Sequence, residues 1–213
     1  MLQQQQARVE ELRGAKYQSI LDSNPALSLV QGKAHVKEAR TLVVVGNKGD
    51  EQTIEADRIL IATGAKQSVP PIAGLEDTPY WTSTEALIAE QLPEHLLVIG
   101  SSVVAVELAQ AYRRLGSQVT LLARHTLLYS EDAQLGAGLT DAFEVEGIRV
   151  LNNTQASQAS FHDGQFVLET NAGTLTGDKL LIATGRQSNT GGLRLSAAGI
   201  EADTKGTVIV DEQ

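Results

Sequence analysis

The 213-residue sequence predicts an α/β fold of two domains laid out on one plan, each carrying a β-meander, the first incomplete and the second complete. Three observations predict it. The segment Thr53-Ile-Glu-Ala-Asp57-Arg-Ile-Leu-Ile-Ala62-Thr63-Gly64-Ala65 recurs without a gap as Thr174-Leu-Thr-Gly-Asp178-Lys-Leu-Leu-Ile-Ala183-Thr184-Gly185-Arg186. Each copy follows a β-branched, apolar run and a turn, so each reads as a meander feeding a buried strand that ends in Ala-Thr-Gly. Between the copies, residues 96–123 read as strand, tight turn, helix and strand.

Taken in order, residues 2–21 predict a helix with apolar positions Val9, Leu12, Ile20 and Leu21, left at Asn24-Pro25. A strand is expected over 28–36 and another over 41–45, with Gly46-Asn47-Lys48-Gly49 as the turn. Pro70-Pro71 excludes a helix after the first copy. A linker runs through Trp81 and Thr84 to a short helix at 85–90, and Pro93 opens the second domain. Gly116 closes the central helix, since glycine accepts the left-handed conformation of a helix end. Residues 165–170 form a strand, Asn171-Ala172-Gly173 the turn, and residues 206–210 a last strand. The boundaries read 1–84, 85–187 and 188–213, the last segment returning to the first domain. Only a helix and a strand precede the first copy, so the reading expects a chain truncated at its start, and at its end as well.

Composition removes whole classes of function. Seventeen basic against 26 acidic residues give a net charge of −9, the wrong field for a nucleic-acid binder. The best apolar run, 96–99, is far short of the ~20 residues of a membrane span. The polar N-terminus lacks a signal-type apolar stretch, and a cytoplasmic location is expected. With no cysteine, the chain holds no disulfide, thiolate nucleophile or dithiol centre of its own. His35, His95, His125 and His162 are scattered, and no metal site is expected from them.

The chemistry concentrates in the central unit. A strand–turn–helix–strand plan places an anion at the helix N-terminus, where unpaired N–H groups and the dipole favour negative charge. Both domains are therefore read as dinucleotide-binding in type, that is, Rossmann-like. The glycine pattern is altered to Gly100-Ser101-Ser102-Val103-Val104-Ala105. Gly100 serves the turn and Ala105 allows close helix–strand packing. Ser102 stands where a glycine lets backbone approach phosphate, and its hydroxyl either donates to a phosphate oxygen or obstructs it. The second strand ends in Ala123-Arg124-His125 with no carboxylate for a ribose 2′-hydroxyl. An arginine there suits a 2′-phosphate, so NADPH is expected over NADH, with His125 flanking. Glu107, on the same helix, is either solvated or a carboxylate near the nicotinamide. Neither a Gly-x-Ser-x-Gly elbow nor a Walker lysine is present.

The segment 98–110, the two Ala-Thr-Gly strands and Gly185-Arg186-Gln187-Ser188-Asn189-Thr190 resemble the pyridine nucleotide–disulfide oxidoreductases. Residues 3–12, 79–87, 100–104 and 153–158 are similar, within that family, to the mercuric ion reductase group, and the resemblance spans nearly the whole chain. It implies electrons passing from NADPH to FAD, to a cysteine pair, and to Hg(II). It implies that Gly100, Ser102 and Ala105 face the NADPH pyrophosphate, with Ser101 in the same cofactor-binding set, that Arg124 takes the 2′-phosphate, and that Glu107 lies by the nicotinamide. Val103 stands where many relatives carry a tyrosine over the flavin. Gly185 joins the cofactor-binding set, and Thr63 and Gly64 line the FAD side. Ser130 replaces an arginine and Ser188 a proline of the family pattern. The N-terminal FAD fingerprint, the cysteine pair, the later flavin segment, the dimerisation domain and the mercury-binding cysteines are absent from the sequence. The expectation is an NADPH-binding central portion that does not retain FAD, is not competent for the full reaction alone, and self-associates through exposed sheet surface. A nucleotide-binding scaffold needing a second chain, or a non-functional fragment, is the alternative.

Overall fold

The computed structural model describes residues 2–211. The chain divides into two compact units, one of residues up to Lys66 together with those from Gln187 onward, the other Gln67–Arg186.

In the first unit the N-terminal helix is made of α1 (Leu2–Arg13), a π-helical stretch at Gly14–Gln18, and α2 (Ser19–Ser23). Gly14 opens the π stretch, the usual place for a helix to loosen. Val9, Leu12 and Ile20 lie exposed along it. Strand β1 (Lys33–Glu38) pairs antiparallel with β2 (Thr41–Val45), which pairs with β3 (Glu51–Glu55). β1 begins later than residue 28, because the ladder ends where Lys33 faces Val45, the last residue of β2. Val36, Val43 and Val44 are buried.

Two expected strands of this unit do not form. Among the described residues, no strand pairs with 57–62, and Leu60 is 90% exposed. A short apolar run becomes a strand only beside a partner that takes up its N–H and C=O groups. The tail at 206–210 keeps a single bridge, Ala202 to Val208, with Ile209 and Val210 exposed. β4 (Ala65–Gln67) is one of two short strands at the passage between the units.

The second unit contains α3 (Ser83–Ile88), started by a capping box in which Thr82 and Glu85 satisfy each other's backbone N–H groups. The box sets the start two residues before the expected 85. Next come β5 (His95–Ile99), α4 (Val103–Leu115) and β6 (Gln118–Leu122), the expected strand–turn–helix–strand run. Gly116 is the left-handed C-cap of α4 at φ 114°. Then follow α5 (Ala133–Val145), β7 (Arg149–Leu151), and a meander of β8 (Ala156–His162), β9 (Gln165–Thr170) and β10 (Gly173–Gly177). The chain returns through β11 (Lys179–Ile182) and leaves by β12 (Arg186–Ser188), which pairs with β4.

The parallel sheet has the order β11-β5-β6-β7. Its residues alternate between two cores, as the two-residue period of a strand requires. Leu96, Val98, Leu121 and Leu181 face Ala105, Ala109, Tyr112, Phe143 and Ile148 of the helical side. Leu97, Leu122, Leu180 and Ile182 face Phe166, Leu168 and Leu175 of the meander. Burial on both faces explains the nearly continuous apolar strands. Each such side chain contributes about 1.5–3 kcal/mol on leaving water. Tyr112 reaches through the helical core to donate its hydroxyl to the Ala86 carbonyl at 2.6 Å, tying α4 to α3.

At the entry edge, the Asp178 carboxylate accepts the N–H groups of His95 at 2.6 Å and Glu94 at 3.2 Å. The half-buried His95 ring meets Thr120 Oγ1 at 2.9 Å. Burial holds the His95 pKa below its ordinary value; Asp178 opposes the shift and Arg149 adds to it. A depressed imidazole pKa means that the unfolded chain takes up the proton first as pH falls. Stability from His95 is therefore complete above the ordinary imidazole range and is lost as pH drops through it. Urea midpoints measured across that interval should fall, and fall less steeply in His95→Gln, whose amide still reaches Thr120.

Candidate functional site

A hollow of about 910 Å³ in the second unit lies at the carboxyl ends of β5, β6 and β11. In the sheet, β6 lies on one side of β5 and β11 on the other, so connections leave β5's neighbourhood in opposite directions. Open parallel sheets bind ligands at that kind of divide.

The floor is set by a close backbone approach. Gly100 follows β5 at φ 148°, and its N–H donates to Leu122 at 3.0 Å. A Cβ added there would lie 2.2 Å from the Ala183 carbonyl oxygen and 3.2 Å from the Ala105 methyl. Ala105 is fully buried beneath the turn, so both small residues of the altered pattern have a packing reason. Ser102 is the N-cap residue of α4 but its side chain does not cap the helix. Its hydroxyl points to the Ala183 carbonyl at 3.5 Å, a weak bond. Thr82 caps α3 and Asp132 caps α5, so the helix opening at the hollow is the one of these three whose first-turn N–H groups have no side-chain cap.

Arg124, His125 and Tyr129 form one wall, and Ser68 to Ile72 with Thr154 to Ala156 stand around the rest. The lining holds one arginine and no carboxylate, in a chain of net charge −9. That contrast favours an anionic ligand.

Of the residues expected from sequence, Gly100, Ser101, Ser102, Arg124 and His125 come together around this hollow, with Ala105 buried under it. Val103 and Glu107 are exposed on α4 and do not line it. Gly185 sits beside it, its carbonyl accepting the Ser68 N–H at 3.0 Å while Thr184 Oγ1 donates to the Ser68 carbonyl at 2.7 Å. Thr63 and Gly64 belong to the other unit, where their carbonyls accept the side chain and backbone N–H of Asn189 at 3.1 and 3.0 Å. Ser130 is exposed next to Glu131. Sequence reasoning missed Tyr129, Thr154, Gln155 and the Ser68 to Ile72 wall, which arrive on loops without a motif.

The family model described as pyridine nucleotide-disulphide oxidoreductase matches residues 2–213. The chain belongs to that family. Within it, the resemblance to mercuric reductases holds: the chain is 62% identical over 213 residues to the mercuric reductase of Shewanella putrefaciens. It is 57% identical over 212 residues to that of Acidithiobacillus ferrooxidans. The whole chain is covered in both matches, but only 38% and 39% of the relatives' own length. The HOCl-induced flavoprotein disulfide reductase RclA from Escherichia coli superposes with a TM-score of 0.90 at 31% identity, over 99% of this chain and 48% of that one. LpdA from Mycobacterium tuberculosis gives 0.82 at 28% over the same shares. The fold is thus the α/β fold of flavoprotein disulfide oxidoreductases.

Gly100→Ala should destabilise the chain by about 3 kcal/mol, from a strained backbone and the contact with the Ala183 carbonyl. Gly138→Ala, on α5 with nothing near its added Cβ, should be neutral or gain about 0.5–1 kcal/mol. Urea denaturation of both variants checks the contrast.

Proposed function

We propose that the Gln67–Arg186 unit is a dinucleotide-binding, Rossmann-like domain that holds NADPH in preference to NADH, and that the chain is the nucleotide-binding middle of a mercuric reductase-like flavoprotein. Bound NADPH supplies the hydride that, in such enzymes, reduces FAD and then a cysteine pair acting on Hg(II). The observation that carries the reading is the acid-free hollow at the sheet's divide, with an uncapped helix start on one side and Arg124 on the other.

The residues fit the nucleotide. Gly100 makes the turn that brings the start of α4 to the floor, and the first-turn N–H groups with Ser101 receive the pyrophosphate. The weakly engaged Ser102 hydroxyl turns from Ala183 to donate to phosphate. Ala105 keeps α4 close to the sheet. Arg124 pairs with the 2′-phosphate through its planar fork, beside His125. Val103 and Glu107, exposed on α4, are assigned to the flavin and nicotinamide end by the family resemblance, which also puts Gly185 in the cofactor-binding set.

Thr63 and Gly64 stay assigned to the FAD side by the family resemblance; their carbonyls accept from Asn189. The chain is read as not retaining FAD because the family's flavin phosphate-binding fingerprint is not among its residues. Its 213 residues hold no cysteine, so they do not perform the thiol step by themselves. Exposed Leu60, Ile209 and Val210 support self-association of the first unit. No described helix is long and apolar enough to cross a membrane.

Calorimetric titration tests the reading. The chain should bind NADPH more tightly than NADH. Arg124→Ala should weaken NADPH by about 2 kcal/mol, roughly thirtyfold, and leave NADH unchanged. The purified chain should show no visible flavin absorbance. A folded chain that binds neither nucleotide overturns the assignment.

A further inference from the structure

Immediately after Arg124 the chain builds something a phosphate site does not need. His125 and Tyr129 stack with ring centroids 4.5 Å apart and planes 33° apart, and both line the hollow. Tyr129 is 64% exposed, whereas every other Phe, Tyr and Trp ring of residues 67–186 is buried or half-buried. Exposed apolar rings at a cleft mark ligand contact more often than packing.

The loop bearing the pair is held rigidly. The Leu128 N–H donates to the Ser101 carbonyl at 2.8 Å, tying the loop to the turn that opens α4. Leu128 is in the left-handed region at φ 48°, which swings Tyr129 back toward His125. Leu127 is fully buried, and the His125 carbonyl accepts the Asn153 N–H at 2.7 Å. A preorganised aromatic surface loses little freedom when a planar ligand settles on it.

We propose that Tyr129, backed by His125, is the shelf on which the adenine base of the dinucleotide stacks. The inference rests on the reading of the hollow as the NADPH site. The ribose that carries the 2′-phosphate also carries adenine, so a base must lie within a few ångströms of Arg124. The stacked pair is the flat apolar surface in that position. It recognises the adenosine half alone and is indifferent to the 2′-phosphate, so Tyr129 sets affinity and Arg124 sets the choice between cofactors.

The test is titration of the full chain with NADPH, NADH and adenosine 2′,5′-bisphosphate. Tyr129→Ala should weaken all three by about tenfold, equally for NADPH and NADH, while Tyr129→Phe binds as the parent does. Arg124→Ala should instead erase the preference for NADPH. In the unaltered chain, nuclear Overhauser contacts are expected between the Tyr129 ring and adenine H2 or H8, which keeps the proposal testable if a variant unfolds. Parent-like binding of all three ligands by folded Tyr129→Ala, or contacts from Tyr129 to nicotinamide alone, overturns the shelf and leaves the NADPH site standing. A folded parent chain that binds none of the three overturns both.

Discussion

Everything at the candidate site depends on how near two backbones come to each other. Gly100 and Ala183 end adjacent parallel strands, and the space between the Gly100 Cα and the Ala183 carbonyl has no room for a side chain. The approach lets α4 start directly above the sheet edge rather than beyond a longer loop. It also places Ala105 under the turn, where a larger residue would lift the helix away. The chemistry of the hollow is thus a product of main-chain packing before any polar side chain contributes.

The same economy runs through the second unit. Alternation along β5 and β11 gives one face to the helices and the other to the meander, so four short strands hold two cores together. At one edge, Asp178 binds the N–H groups that precede and open β5. At the opposite edge, the Leu128 to Ser101 bond fastens the loop after β6 to the turn after β5. A one-residue slip of the parallel pairing would break the first tie and move every buried side chain to the wrong core.

Much of this was legible in the residues, for identifiable reasons. Gly100, Ala105, Gly116 and Arg124 announce themselves because their roles are local: a turn, a close contact, a helix end, a strand end. The Ala-Thr-Gly repeat was half informative. Residues 179–182 form a strand because β5 lies beside them, while residues 57–62, with nearly the same pattern, have no ladder partner among the described residues and stay irregular. Apolar pattern states what a segment is able to join and is silent on whether the partner is there. Tyr129, Thr154 and Gln155 escaped notice because loops deliver them, and the left-handed turn at Leu128 leaves no glycine or asparagine as a signal. Val103 rested on the family resemblance and Glu107 on its place in the helix; both lie on an exposed face of α4, outside the lining of the hollow.

The Asp178 tie has a temporal side. His95 and Asp178 are 83 residues apart in the chain, and Ala183 comes later still. β5, α4 and β6 are neighbours in the chain, and the strand that completes the floor is synthesised after them. Until that strand is made, one flank of β5 lacks the ladder partner it has in the finished fold. The meander that covers the second face of the sheet also precedes β11 in the chain, so the strand that completes the floor is made after every element that walls it.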